Sequence, residues 1–220
     1  GTLMLQIAVE EIAKACASSA LILMVQELGT LPIALFGSDE LKDRFLPRCA
    51  TGEWSPAFAL SEPEAGSDPA GMKTTAVLDG DEWVINGTKN WISNLGIADF
   101  YVTFAVTDPQ TRRMSAFVVE ADRPGFSVGK LEHKLGIRGS STRQVILEDA
   151  PVAADRVLGE IGQGHKIAFN ILNIGRFKLG AGAVGAAKEC LAVALDYASD
   201  RRQFGQPIAS FGMIQRKLAD

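Results

Sequence analysis

The sequence predicts an α+β, multidomain fold, with helices at both ends and an antiparallel β-barrel or sandwich between them. Three observations carry this. Apolar residues recur near every 3.6 positions over 1–53, every second position over 54–160, and near 3.6 again from 161 onward. Strands of the middle region follow one another through short turns, which favours antiparallel pairing over a parallel sheet. With 47% hydrophobic residues in 220, there is enough apolar surface for a sizeable core.

In the first region Leu3, Ile7, Ile12, Cys16 and Ala20 fall on one helical face, and 21–28 is apolar nearly all round. Gly29 is expected to end that helix, and 32–36 to form a short second one stopped by Gly37. Ser38-Asp39-Glu40 then caps a third, with a hydroxyl at the N-cap and acids in the first turn. In the middle region 73–78 and 82–85 flank Asp79-Gly80-Asp81 as a hairpin, and Asn86-Gly87 reads as a second hairpin turn into 88–93. Further strands are expected at 100–106, 114–120, 126–131 and 143–147. Beyond 161, Ile167, Ile171 and Leu172 share a helical face and 181–198 is strongly helical. Residues 201–205 break that helix, and 207–220 begin another. The chain opens on Gly1-Thr2 without Met and stops within a helical pattern, so it reads as a segment cut at both ends.

Composition excludes several function classes. A net charge of -4 leaves no basic surplus for nucleic acid. Cys16, Cys49 and Cys190 are odd in number, far apart and form no CxxC, which argues for a reducing compartment and against a disulfide framework or zinc site. His133 and His165 are too few for a histidine metal cluster. The longest uncharged apolar run, 15–25, is about half of the roughly 20 residues a bilayer span needs, so no membrane span is expected. Gly180-Ala181-Gly182-Ala183-Val184-Gly185 spells a dinucleotide-binding G-x-G-x-x-G, but no strand precedes it. Its mixed glycines and alanines suit two helices approaching closely.

Six further motifs stand in order. They are Phe58-Ala59-Leu60-Ser61-Glu62-Pro63-Glu64-Ala65-Gly66-Ser67-Asp68, then Gly87-Thr88-Lys89-Asn90-Trp91-Ile92-Ser93-Asn94, then Lys134-Leu135-Gly136-Ile137-Arg138-Gly139-Ser140. Val157-Leu158-Gly159-Glu160, Asn173-Ile174-Gly175-Arg176 and Asp200-Arg201-Arg202-Gln203-Phe204-Gly205 follow. In this order and spacing the chain resembles the acyl-CoA dehydrogenase family of flavoproteins over essentially its whole length. The resemblance implies the end of an N-terminal helical domain (1–53), a middle β-barrel domain (54–160) and the first part of a C-terminal four-helix bundle (161–220).

It also implies FAD. Phe58, Leu60, Ser61, Gly66 and Ser67 would wall the flavin site, with the Ser61 hydroxyl at the pyrimidine end. Trp91 would lie against the isoalloxazine face opposite the substrate, beside Ile92, with the Ser93 hydroxyl reaching N5. Strand alternation puts 91 and 93 on the same side, which permits both contacts. Arg201, Gln203 and Phe204 match a segment that reaches a neighbouring subunit's flavin, and Phe211 and Gly212 a second cofactor contact. Ser67, Asn173 and Arg176 fall to the acyl-CoA. Ser61 and Ser93 stand where the family commonly has Thr, and Asn173 where many relatives have Asp.

The activity implied is α,β-dehydrogenation of an acyl-CoA thioester to the trans-2-enoyl-CoA. A base takes the α-proton, a hydride leaves the β-carbon for the flavin, and an electron-transfer flavoprotein takes the electrons. A homotetramer built as a dimer of dimers goes with it, in a bacterial cytoplasm or a mitochondrial matrix. Alternatives are an acyl-CoA oxidase, a nitroalkane-oxidase-like enzyme of the same fold, or a non-catalytic truncated copy. Most members of the family carry the glutamate base in a loop far along the bundle. The isovaleryl and long-chain branches carry it just before the Arg that matches Arg176, where this chain has Gly175. No catalytic residue is therefore expected within the chain, and the glutamate is expected past Asp220.

Overall fold

The computed structural model describes residues 1–220. Two compact units are present, one formed by Ile22–Arg176 and the other by Gly1–Leu21 with Phe177–Asp220.

Three helices open the chain: α1 (Thr2–Ala15), α2 (Ala17–Phe36) and α3 (Asp39–Thr51). The α3 cap forms as its sequence predicts. Ser38 Oγ accepts from Leu41 N, Asp39 and Glu40 sit in the first turn, and Gly52 closes the helix in the left-handed region. Gly29 does not end α2, which runs on through Pro32. A Cβ at Gly29 would lie 2.4 Å from Pro56 Cβ, so the glycine lets the helix press against the next strand rather than stopping it. By length and composition alone α2 could cross a membrane; here Leu28, Leu31, Ile33 and Phe36 pack in the core.

The middle of the chain forms an eight-stranded sheet, ordered β6-β7-β3-β2-β4-β5-β8 with β1 on β4. Its strands are β1 (Pro56–Ala59), β2 (Thr75–Asp79), β3 (Glu82–Ser93), β4 (Phe100–Asp108), β5 (Arg113–Glu120), β6 (Phe126–Val128), β7 (Thr142–Ala153) and β8 (Val157–Leu158). Pairing is antiparallel as expected, except that β1 lies parallel to β4 and Thr75 of β2 meets Val106 of β4 in parallel. The turn at Gly80 joins β2 and β3 as the predicted hairpin. The second predicted hairpin is absent. β3 continues through Asn86 and Gly87 with a register shift against β7, and the Asn86 amide pairs with Asp149. Gly87 sits at φ 150, and a Cβ there would come 2.7 Å from Thr74 Cα.

β4 explains where the core lies. Its residues 100–106 are buried on both faces. Phe100, Val102, Phe104 and Val106 enter a cluster with Ile33, Phe45 and Ile171 from the helices. Tyr101 and Ala105 face the opposite way, into a cluster with Trp83, Phe117, Val145 and Val152.

A single helix, α4 (Gly164–Asp200), follows. The glycine-rich segment lies inside it, so the dinucleotide reading fails for want of a strand. In the unit that holds α1, the buried face of that helix is Val9 and Ala13, while the larger Leu3, Ile7 and Ile12 are exposed. The reason is close approach: a Cβ at Gly185 would lie 2.1 Å from Glu10 O, and Lys188 Nζ donates to Glu10. Gly185→Ala should therefore cost about 1–3 kcal/mol by overpacking. Gly180→Ala, with nothing within 4 Å of the new methyl, should be neutral or stabilise by about 0.5–1 kcal/mol. Denaturant unfolding of both variants checks the contrast.

Candidate functional site

The segment after β1 is built around two buried charges. Pro63 and the reciprocal backbone bonds between Glu62 and Ala65 turn the chain tightly. This leaves the Glu62 carboxylate inside, where it accepts from Lys73 N (2.6 Å), Thr74 N (3.1 Å) and Lys89 Nζ (2.7 Å). Lys89 is fully buried and also donates to Leu60 O at 3.3 Å. Burial pushes the Glu62 carboxylate up, but the Lys89 charge and the donors around it outweigh that and hold it below the usual range. Burial pulls the Lys89 ammonium down to about 8, against the opposing pull of Glu62. Sequence pattern alone points to neither residue.

Immediately after Lys89 the strand bulges, with a register shift against β7 between Lys89 and Ile92. Trp91 occupies a left-handed φ of 56°, a conformation rare for a bulky residue, and its side chain is 60% exposed. Ile92 is buried and Ser93 half-buried. Asn90 N donates to Ser61 O at 2.8 Å, and Asn94 Nδ2 donates to Pro56 O at 3.1 Å. The 56–61 segment thus runs against 90–94, bringing Ser61, Trp91 and Ser93 into one neighbourhood. Asn90 Oδ1 is buried there without a protein hydrogen-bond partner.

The other predicted residues fall in separate places. Phe58 packs on Phe104 with ring centroids 5.1 Å apart, and the Leu60 side chain is buried in the core. Gly66 and Ser67 are exposed in the loop that follows. On α4, Arg176 donates to Asn173 Oδ1 at 2.7 Å, one turn apart and both exposed. Gly175 lies between them, and a Cβ there would touch Leu28 Cδ1 at 3.5 Å.

In the other unit, α4 is followed by a two-stranded hairpin, β9 (Arg202–Gln203) and β10 (Gln206–Pro207), then α5 (Gly212–Ala219). Arg201 N closes the last turn of α4, and Arg201 O accepts from Ile208 N. Phe204 stands at the hairpin tip with φ 50° and 93% exposure, 6.1 Å from the Phe211 ring. Arg201, Gln203, Phe204, Phe211 and Gly212 therefore form a local group of their own.

Comparison with known proteins matches most of the chain to one family. Residues 1–53, 57–150 and 162–220 match the acyl-CoA dehydrogenase N-terminal, middle and C-terminal domains. A probable acyl-CoA dehydrogenase of Bacillus subtilis is 51% identical over 193 residues, 87% of this chain and 32% of that protein. Butyryl-CoA dehydrogenase from Megasphaera elsdenii superimposes with a TM-score of 0.94 at 41% identity, covering 98% of this chain and 57% of that one. An acyl-CoA dehydrogenase complexed with FAD from Bacillus anthracis superimposes with a TM-score of 0.90 at 48% identity, covering 96% and 36%. The chain thus spans about half the length, or less, of the relatives it matches. With its three domain matches in the order its periodicity predicts, it belongs to the acyl-CoA dehydrogenase family.

Proposed function

We propose that the chain is the FAD-binding portion of an enzyme that converts an acyl-CoA thioester to the trans-2-enoyl-CoA and passes the electrons to an electron-transfer flavoprotein. The observation that carries this reading is Trp91. A large exposed indole held in a strained bulge costs about 1–3 kcal/mol, and such strain persists where function uses it. The surroundings fit a flat, polar-edged cofactor: an aromatic face, two serine hydroxyls, and the unpartnered acceptor Asn90 Oδ1. FAD, when bound, supplies the hydride acceptor.

The protein's own contribution follows from its side chains. Ser61 and Ser93 donate hydrogen bonds to the cofactor's polar edge, where negative charge grows on reduction, and so favour the reduced form. Asn173 and Arg176, joined on α4, serve the acyl-CoA. Arg201 serves the cofactor of a second subunit in a dimer of dimers. The base is proposed to come from sequence beyond Asp220.

Electron acceptor preference tests the reaction class. In the enzyme at the family's full length, substrate-reduced flavin should persist in air and reoxidise rapidly on adding an electron-transfer flavoprotein. Fast reoxidation by oxygen alone would assign an oxidase instead.

A further inference from the structure

The buried Glu62–Lys89 pair takes no part in proton or hydride transfer in the reading above, yet both walls of the proposed cofactor site hang from it. Lys89 Nζ holds Leu60 O (3.3 Å) on one side, and Lys89 itself opens the bulge that carries Trp91 on the other. The Glu62 carboxylate pins the backbone at Lys73 and Thr74, so three segments meet at one ion pair. Asn90 N to Ser61 O, 2.8 Å, completes the link between the two walls.

We infer that Glu62 and Lys89 are positioning residues, whose ion pair fixes Ser61 against the bulge and holds the Trp91 indole where the cofactor needs it. The inference rests on the FAD reading for the last clause only. Two charges exposed by 3% or less have lost their hydration, and such a pair is often no more stabilising than apolar residues of the same volume. What such a pair can add is specificity of conformation. The strained φ of Trp91 gives that specificity a use, because an unfavourable backbone conformation survives only where neighbours over-determine it. Lys89 lies two residues before Trp91 and has no solvent access, so direct contact with an acyl-CoA is not its task.

The test separates holding the bulge from merely holding the fold. Protein labelled with 5-fluorotryptophan carries three reporters, Trp54, Trp83 and Trp91, whose fluorine NMR signals are assigned by single Phe replacements. The double variant Glu62→Gln/Lys89→Met keeps side-chain volume and removes both charges, so no lone charge is left buried. In the cofactor-free protein the Trp91 signal should shift or split while those of Trp54 and Trp83 stay in place. The FAD dissociation constant should rise about tenfold, the scale of one side chain losing its preorganisation. An unmoved Trp91 signal would overturn the inference. A moved signal with unaltered FAD affinity would keep the pair as holder of the bulge and overturn the assignment of Trp91 to the cofactor. Should the double variant not fold, Glu62→Asp keeps both charges, withdraws the carboxylate by one methylene, and is read by the same signals and criteria.

Discussion

The 220-residue chain, loaded with FAD and mixed anaerobically with a panel of acyl-CoA thioesters, is expected to leave the flavin oxidised. A general base must come within about 3 Å of the proton it abstracts, and Glu62, Glu160 and Glu189 each interact with other groups. Glu62 is held by Lys89 and two backbone N–H groups. Glu160 accepts from Gln163, and Glu189 lies within the field of Lys14. The position before Arg176, used for the base by some branches that the family resemblance brings in, is Gly175. That glycine also offers the complementary experiment. A Cβ at Gly175 meets Leu28 Cδ1 at 3.5 Å, an ordinary contact, so α4 has room for a Cβ there. Gly175→Glu is expected to raise flavin bleaching by acyl-CoA about 10² to 10⁴-fold over the parent, the usual contribution of a positioned base. Rapid bleaching of the parent chain would show that a base exists within these residues. No gain in the variant would remove this face of α4 as a base position.

Some of this architecture is legible in the sequence and some is not, for identifiable reasons. The change of period near residues 54 and 161 reports the helical, β, helical order, because periodicity reflects one-sided burial within each element. The Ser38 cap and the Gly80 turn are local chemistry and form as read. Gly29 and Gly87 differ from their sequence expectation because each answers to a neighbour distant in sequence, Pro56 and Thr74, that local pattern does not show. The buried face of α1 is ambiguous in the sequence because its large apolar residues and its small ones both recur at helical spacing. Close approach to Gly185 selects the small ones. At the site, the residue types around Trp91 stand out in the motif, but the bulge and left-handed φ that expose the indole do not. The Glu62–Lys89 pair is not legible in the sequence, since only folding brings positions 27 residues apart into contact.

Trp91 is proposed as the platform on which FAD rests. Its most direct test is a titration of FAD into the folded protein, comparing the parent with Trp91→Ala and Trp91→Phe. The indole is 60% exposed, so either replacement should leave the fold and its melting temperature nearly unchanged. Losing an aromatic stacking partner costs about 1–3 kcal/mol, or about 5- to 150-fold in affinity at 1.4 kcal/mol per factor of ten. Trp91→Ala should weaken FAD binding within that range and shift the bound flavin's absorption bands, with Trp91→Phe recovering most of both. Equal FAD affinity and an identical flavin spectrum in the parent and Trp91→Ala would contradict the account.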